Sequence, residues 1–103
     1  MVIKFSQTTK IPLAQGTVWD YPMPNEHLGI SYQEHNGRVP QKGWGVNTAC
    51  LEEYFIIDGK ARVFIDNKEY EADKGDIIIL EPGQKSYLIA DHLKLLTITR
   101  PPR

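Results

Sequence analysis

Between Glu52 and Ser86, short apolar runs alternate with turn signals at close and regular spacing. YFII, ARVFI, EYEA and IIIL are separated by Asp58-Gly59, by Asp66-Asn67 and by the DKGD segment. Short runs rich in β-branched and aromatic residues, bounded by Gly, Asp and Asn, predict β-strands joined by hairpins. From about Asn47 to Ile57, strand alternation puts Cys50, Glu52, Tyr54 and Ile56 on one side and Leu51, Glu53, Phe55 and Ile57 on the other. The unbroken run Ile77 to Leu80 predicts a strand buried on both faces. EPGQ follows as a type II turn, with Pro82 fixing φ and Gly83 accepting a positive φ.

The flanking regions read the same way. Val2 to Phe5 predicts an edge strand or arm, and Gly16 to Tyr21 a second short strand. PMPNEH is a loop, because its two prolines forbid ladder pairing. Leu28 to His35 predicts a strand ended by a tight turn at Asn36-Gly37, with Ile30, Tyr32 and Glu34 on one face and Ser31, Gln33 and His35 on the other. RVPQKGWGVN is a loop. Ser86 to Ala90 and Leu93 to Thr99 predict the last strands. No segment keeps a helical period over three turns, so the class is all-β. A single domain spans 1–103, with an arm and edge strands over 1–27 and a barrel core over 28–99.

Composition narrows the function classes. A chain of 103 residues supports one core, and at this size a partner subunit helps burial. The net charge is −1, with Lys and Arg scattered from Lys4 to Arg103, so no basic face is expected for nucleic acid or for a membrane surface. No apolar run approaches the ~20 residues of a membrane span, and Met1 to Phe5 is too short for a secretory signal. Cys50 is the only cysteine, which excludes an internal disulfide and agrees with a reducing, cytoplasmic location. The apolar edges at Val2 to Phe5 and Leu93 to Ile98 predict a homodimer.

Two motifs carry a resemblance. Glu52, the six residues 53 to 58, and Gly59 match the second half of the first motif of the cupin superfamily. Gly75, Asp76, the strand IIIL, Pro82 and Gly83 match the second motif, and the likeness covers roughly residues 28 to 99. It implies a double-stranded β-helix, or jelly-roll barrel, of the small stand-alone single-domain kind. Counting back from Glu52, the first motif's two histidine positions fall on Gly45 and Asn47, and the second motif's histidine falls on Ser86. All three imidazoles are absent. One carboxylate with an amide and a hydroxyl is a poor ligand set for Fe, Mn, Ni or Zn, so no metal cofactor is expected. His27, His35 and His92 read as loop, strand-end and turn residues.

The expected site is therefore a metal-free cavity. The resemblance points Glu52 inward, alternation carries Tyr54 with it, and Asn47, Ser86 and Tyr32 complete a lining of polar groups among apolar ones. A small molecule, such as a sugar or a carboxylate metabolite, is the expected ligand. The competing readings are a metal-independent isomerase or epimerase, a metalloenzyme rebuilt around His35 and Glu52, and a purely structural or regulatory dimer. Cys50 reads as a buried small residue, and Trp19 and Trp44 as packing residues near the cavity mouth.

Overall fold

A computed structural model describes residues 1–102. After a 3-10 turn at Phe5–Gln7, the chain forms β1 (Thr9–Leu13), β2 (Gly16–Asp20), β3 (Gly29–Val39), β4 (Gly45–Val46), β5 (Leu51–Ile65), β6 (Lys68–Asp73), β7 (Ile77–Leu80) and β8 (Lys85–Arg100). Every pairing is antiparallel, in the order β1-β2-β3-β8-β5-β6, with β7 also on β5 and β4 also on β8. The fold is an all-β jelly-roll barrel.

The two longest strands make the barrel. β5 gives one edge first to β7, over Glu52 to Phe55, and then to β6, over Lys60 to Ile65, while its other edge follows β8 throughout. The change of partner falls at an irregularity between Ile56 and Lys60, opposite one in β8 where His92 has φ 47°. Bulges bend and twist a strand, so both strands crease at the same level and each contributes to two walls. Gly59 makes this crease possible. Its φ is 81°, and a Cβ there would stand 2.2 Å from the His92 carbonyl oxygen.

Three expected turns are therefore bulges or bends inside longer strands. Asp58-Gly59 is the crease of β5 rather than a hairpin, Asn36-Gly37 is a register shift within β3, and Ser86 to Thr99 is one strand. A positive-φ glycine serves a bulge as well as a turn, so local sequence does not separate the two. Asp66-Asn67 does close a two-residue hairpin, with Ile65 paired to Lys68, and Gly83 has φ 88° in its turn. Val2 to Phe5 is not a strand; β1 begins at Thr9.

The core is built from inward residues of β5, β6, β7 and β8. Ile56, Val63, Leu93 and Leu95 are fully enclosed, with Ala61, Ala72, Ile78, Leu80 and Ala90 around them. Each of the large side chains contributes about 1.5–3 kcal/mol by leaving water. β7 is buried on one face only: Ile78 and Leu80 point inward, while Ile77 and Ile79 are 56 % and 53 % exposed. No helix is long and apolar enough to cross a membrane among the described residues.

Candidate functional site

Alternation along three neighbouring strands brings a polar set to the barrel interior. Ser31, Gln33 and His35 share the inner side of β3, Thr97 and Thr99 that of β8, and Glu52 and Tyr54 that of β5. Register joins them in rows: Tyr54 stands opposite Thr97 and Thr97 opposite Ser31, while Glu52 stands opposite Thr99. A cavity of about 290 Å³ opens over this surface, lined by Glu52, Tyr54, Gln33, His35, Asn47 and Ser86 and walled by core residues including Val63, Ile78 and Leu95.

The carboxyl and phenol form the centre of the cavity. Glu52 and Tyr54 lie two residues apart on one strand, about 7 Å along it, which a tyrosine ring can span. The Tyr54 hydroxyl donates to Glu52 Oε2 at 2.5 Å. Glu52 is 5 % exposed. Burial raises the Tyr54 pKa well above its ordinary 10.0, so the phenol stays protonated and remains a donor.

β3 supplies a second polar chain. Gln33 Nε2 donates to Ser31 Oγ at 2.8 Å, and Gln33 Oε1 meets His35 Nε2 at 2.7 Å. With the amide oriented this way, His35 carries its proton on Nε2. The ring is 5 % exposed, its Nδ1 is buried without a hydrogen-bond partner, and burial lowers its pKa. β2 lies hard against this ring because residue 16 is glycine. A Cβ there would stand 2.9 Å from His35 Nδ1 and 2.0 Å from the Glu34 carbonyl oxygen.

At the cavity mouth, Asn47 Oδ1 accepts from the amides of Ala49 and Cys50, both at 3.0 Å. The Asn47 carbonyl accepts from Gly83 N at 2.8 Å, tying the β4–β5 connection to the β7–β8 turn. The amide oxygen is thus engaged by backbone, and the Nδ2 group is what Asn47 can offer a ligand. Ser86 pairs with Gly45 across β4 and β8. Cys50 is buried and lies outside the cavity lining.

Four of the five expected ligand-binding residues, Asn47, Glu52, Tyr54 and Ser86, line this one cavity. Tyr32 does not. It alternates out of phase with Ser31, Gln33 and His35, so it stands on the outer face. There its ring packs against Trp19 and Phe5 at 5.5 and 6.1 Å, and its hydroxyl donates to Glu34 Oε2 at 2.7 Å. Burial, then that carboxylate, pushes its pKa up to about 12. Trp19 belongs to the same outer cluster, and Trp44 stands edge-on to Tyr87 at 4.8 Å. Neither tryptophan lines the cavity. Gln33 was missed, and His35 was named only for a rebuilt metal site. Their signal was present in the alternation of SYQEH, which places them together once Tyr32 is assigned outward.

A larger compartment of about 530 Å³ adjoins the first. Gln33, His35, Val39 and Tyr54 wall both. It extends between β1, β2 and the 21–28 segment, with Thr97 and Thr99 on its floor and Ile11, Leu13, Met23 and Leu28 around it. Thr97 Oγ1 is buried there without a hydrogen-bond partner.

The donor set does not suit a transition metal. Among the described residues, no three His, Cys, Asp or Glu side chains come together, Gly45 offers no side chain, and the Asn47 oxygen is taken up by backbone amides.

The chain has a cupin fold. Among solved structures, a histidine-to-glutamine variant of Streptomyces Pac13 in complex with uridine superposes with a TM-score of 0.88 at 10% identity, over 99% of this chain and 82% of that one. Ectoine synthase from P. lautus gives 0.84 at 13% identity, over 100% and 80%. The cupin domain of Schizosaccharomyces pombe Cnp3 gives 0.77 at 11%, over 95% and 72%. No family model and no curated protein matches the chain.

Proposed function

We propose that the barrel binds a small, hydroxyl-bearing organic molecule without a metal, and that Glu52, Tyr54, Asn47 and Ser86 contact it. The observation that supports this best is the buried Glu52–Tyr54 pair facing a cavity whose other polar groups, apart from Glu81 at the exposed rim, are neutral donors and acceptors. Such a lining suits hydroxyl groups, which can donate to a carboxylate oxygen and accept from an amide or phenol. The same reading takes the protein to be a cytoplasmic homodimer.

A second reading, metal-independent acid–base catalysis, gains weight from His35. Proton transfer needs a group that titrates near neutral pH within reach of the substrate, and an imidazole lines both compartments beside Tyr54. Pac13, solved with uridine bound in a variant, is described as a nucleoside dehydratase, so a barrel of this shape can serve such chemistry.

Thermal-shift titration against hydroxylated metabolites, nucleosides and sugars included, tests the binding reading. At least one compound is expected to raise Tm, and Glu52→Gln is expected to abolish that rise, because an amide cannot accept from both oxygen positions. If no compound stabilises the protein, the reading is wrong. Elemental analysis giving about one transition metal per chain, lost in Glu52→Ala, overturns the metal-free part.

A further inference from the structure

The two compartments differ in size but agree in charge. The smaller is lined by two carboxyl groups, Glu52 at its centre and Glu81 at its exposed rim. The larger carries Asp20, also exposed. Among the described residues, no Lys or Arg lines either one. Arg38 does not itself line either compartment; its guanidinium is engaged by two residues of the smaller one's wall, donating to the Pro40 carbonyl at 2.9 Å and lying 4.1 Å over the Tyr87 ring. Arg62 is paired with Glu69, and Arg100 with Glu53. His35 is held toward its neutral form by burial. The remaining polar groups, Ser31, Gln33, Asn47, Ser86, Thr97 and Thr99, carry no charge.

Sites for phosphate or carboxylate ligands supply a guanidinium, an ammonium or a fan of backbone amides, because an anion leaving water needs a compensating charge. Here an anion would meet carboxylates at both mouths and a third at the centre. An ammonium is drawn to these carboxyls rather than repelled, but inside the barrel it gives up its hydration for one carboxyl that already accepts from Tyr54 and for otherwise neutral groups. Neutral hydroxyl and amide groups match the interior.

Resting on the binding reading above, we infer that the site selects an uncharged ligand of two parts, a hydroxylated part beside Glu52, Tyr54, Asn47 and Ser86, and a second, less polar part in the larger compartment past Gln33 and His35. Nucleoside-like and glycoside-like molecules fit this description, and their phosphate esters do not. The inference sets aside carboxylate metabolites, which the sequence left open.

The test uses matched probes on common scaffolds: uridine, its 5′-monophosphate and its 5′-amino analogue, and phenyl glucoside with its 6-phosphate and 6-amino counterparts, each titrated by calorimetry. The uncharged member of at least one set is expected to bind, with its phosphate weaker by about tenfold or more. Glu81→Lys, at an exposed position of the rim, is expected to narrow that difference by relieving repulsion there. A phosphate or amine that binds as tightly as its uncharged parent overturns the inference while leaving the binding reading intact. So does a difference that Glu81→Lys leaves unchanged. If none of these probes binds while another metabolite stabilises the protein, the two-part class is wrong; if nothing stabilises it, the binding reading fails with it.

Discussion

The His35 imidazole has exchanged water for the contacts of a barrel wall, and its charged form loses more by that exchange than its neutral form does. Its pKa is lowered from 6.5 by burial. In the unfolded chain the ring takes up a proton near 6.5, whereas in the folded chain it resists doing so. As pH falls below about 6.5 the unfolded state binds more protons, and stability declines until the lower folded pKa is reached; above 6.5 both states are neutral and the ring contributes no slope. Wild-type Tm is therefore expected to drop between pH 7.5 and 5.5 by more than that of His35→Gln, which keeps a polar side chain but removes the titration. Equal drops would show that His35 is not the group responsible. At this scale the sequence was partly legible. Glu52 and Tyr54 were found because a motif fixed the direction of Glu52 and alternation did the rest. His35 read as a surface residue because Asn36-Gly37 looked like the end of its strand. Tyr32 read as a lining residue because its polar tip suited a pocket, although its own alternation opposed Ser31 and Gln33.

Glycines at the strand bends separate two costs that are often confounded. Gly59 and Gly83 both have positive φ, 81° and 88°, and so impose similar backbone strain on any L side chain. They differ in space: a Cβ at Gly83 meets nothing within 4 Å, while one at Gly59 strikes the His92 backbone. Gly83→Ala is expected to cost about 1 kcal/mol, from φ alone. Gly59→Ala should cost several times that, since β5 and β8 must separate at the crease, and denaturant unfolding of the two variants measures the difference. Equal losses would mean that the crease yields cheaply. Elements of this kind explain why the strand-forming segments of the core were legible while their number and lengths were not. Turn residues punctuate the chain wherever φ turns positive, but only long-range pairing decides whether the strand stops, as at Asp66-Asn67, or continues, as through Asp58-Gly59. The run IIIL misled for a related reason, since its composition indicates burial on both faces while the domain covers only one.

That half-covered strand belongs to a larger surface. On the outer side of the barrel, Ile77 of β7 stands opposite Phe55 of β5, Phe55 opposite Leu96 of β8, and Leu96 opposite Tyr32 of β3, whose ring continues into Trp19 and Phe5. Ile79 and Ile98 flank Glu53 in the next row. The result is an apolar band across four strands, with Phe55, Ile77 and Ile79 more exposed than large apolar residues of a monomer usually are in so compact a group. Charge is sparse along it and Glu53 is neutralised by Arg100 at 2.7 Å, so two copies can meet face to face about a twofold axis without opposing like charges. The dimer expected from the sequence is accordingly proposed to use this face rather than a strand at Val2 to Phe5, which the chain does not form. Light scattering at tens of micromolar is expected to give twice the chain mass for the wild type and the single mass for Ile77→Asp/Ile79→Asp. These side chains point away from the core, so the double variant should keep its far-UV spectrum and its Tyr54-lined cavity. A wild-type protein of monomer mass refutes the proposal, and a double variant that stays dimeric moves the interface elsewhere on the barrel.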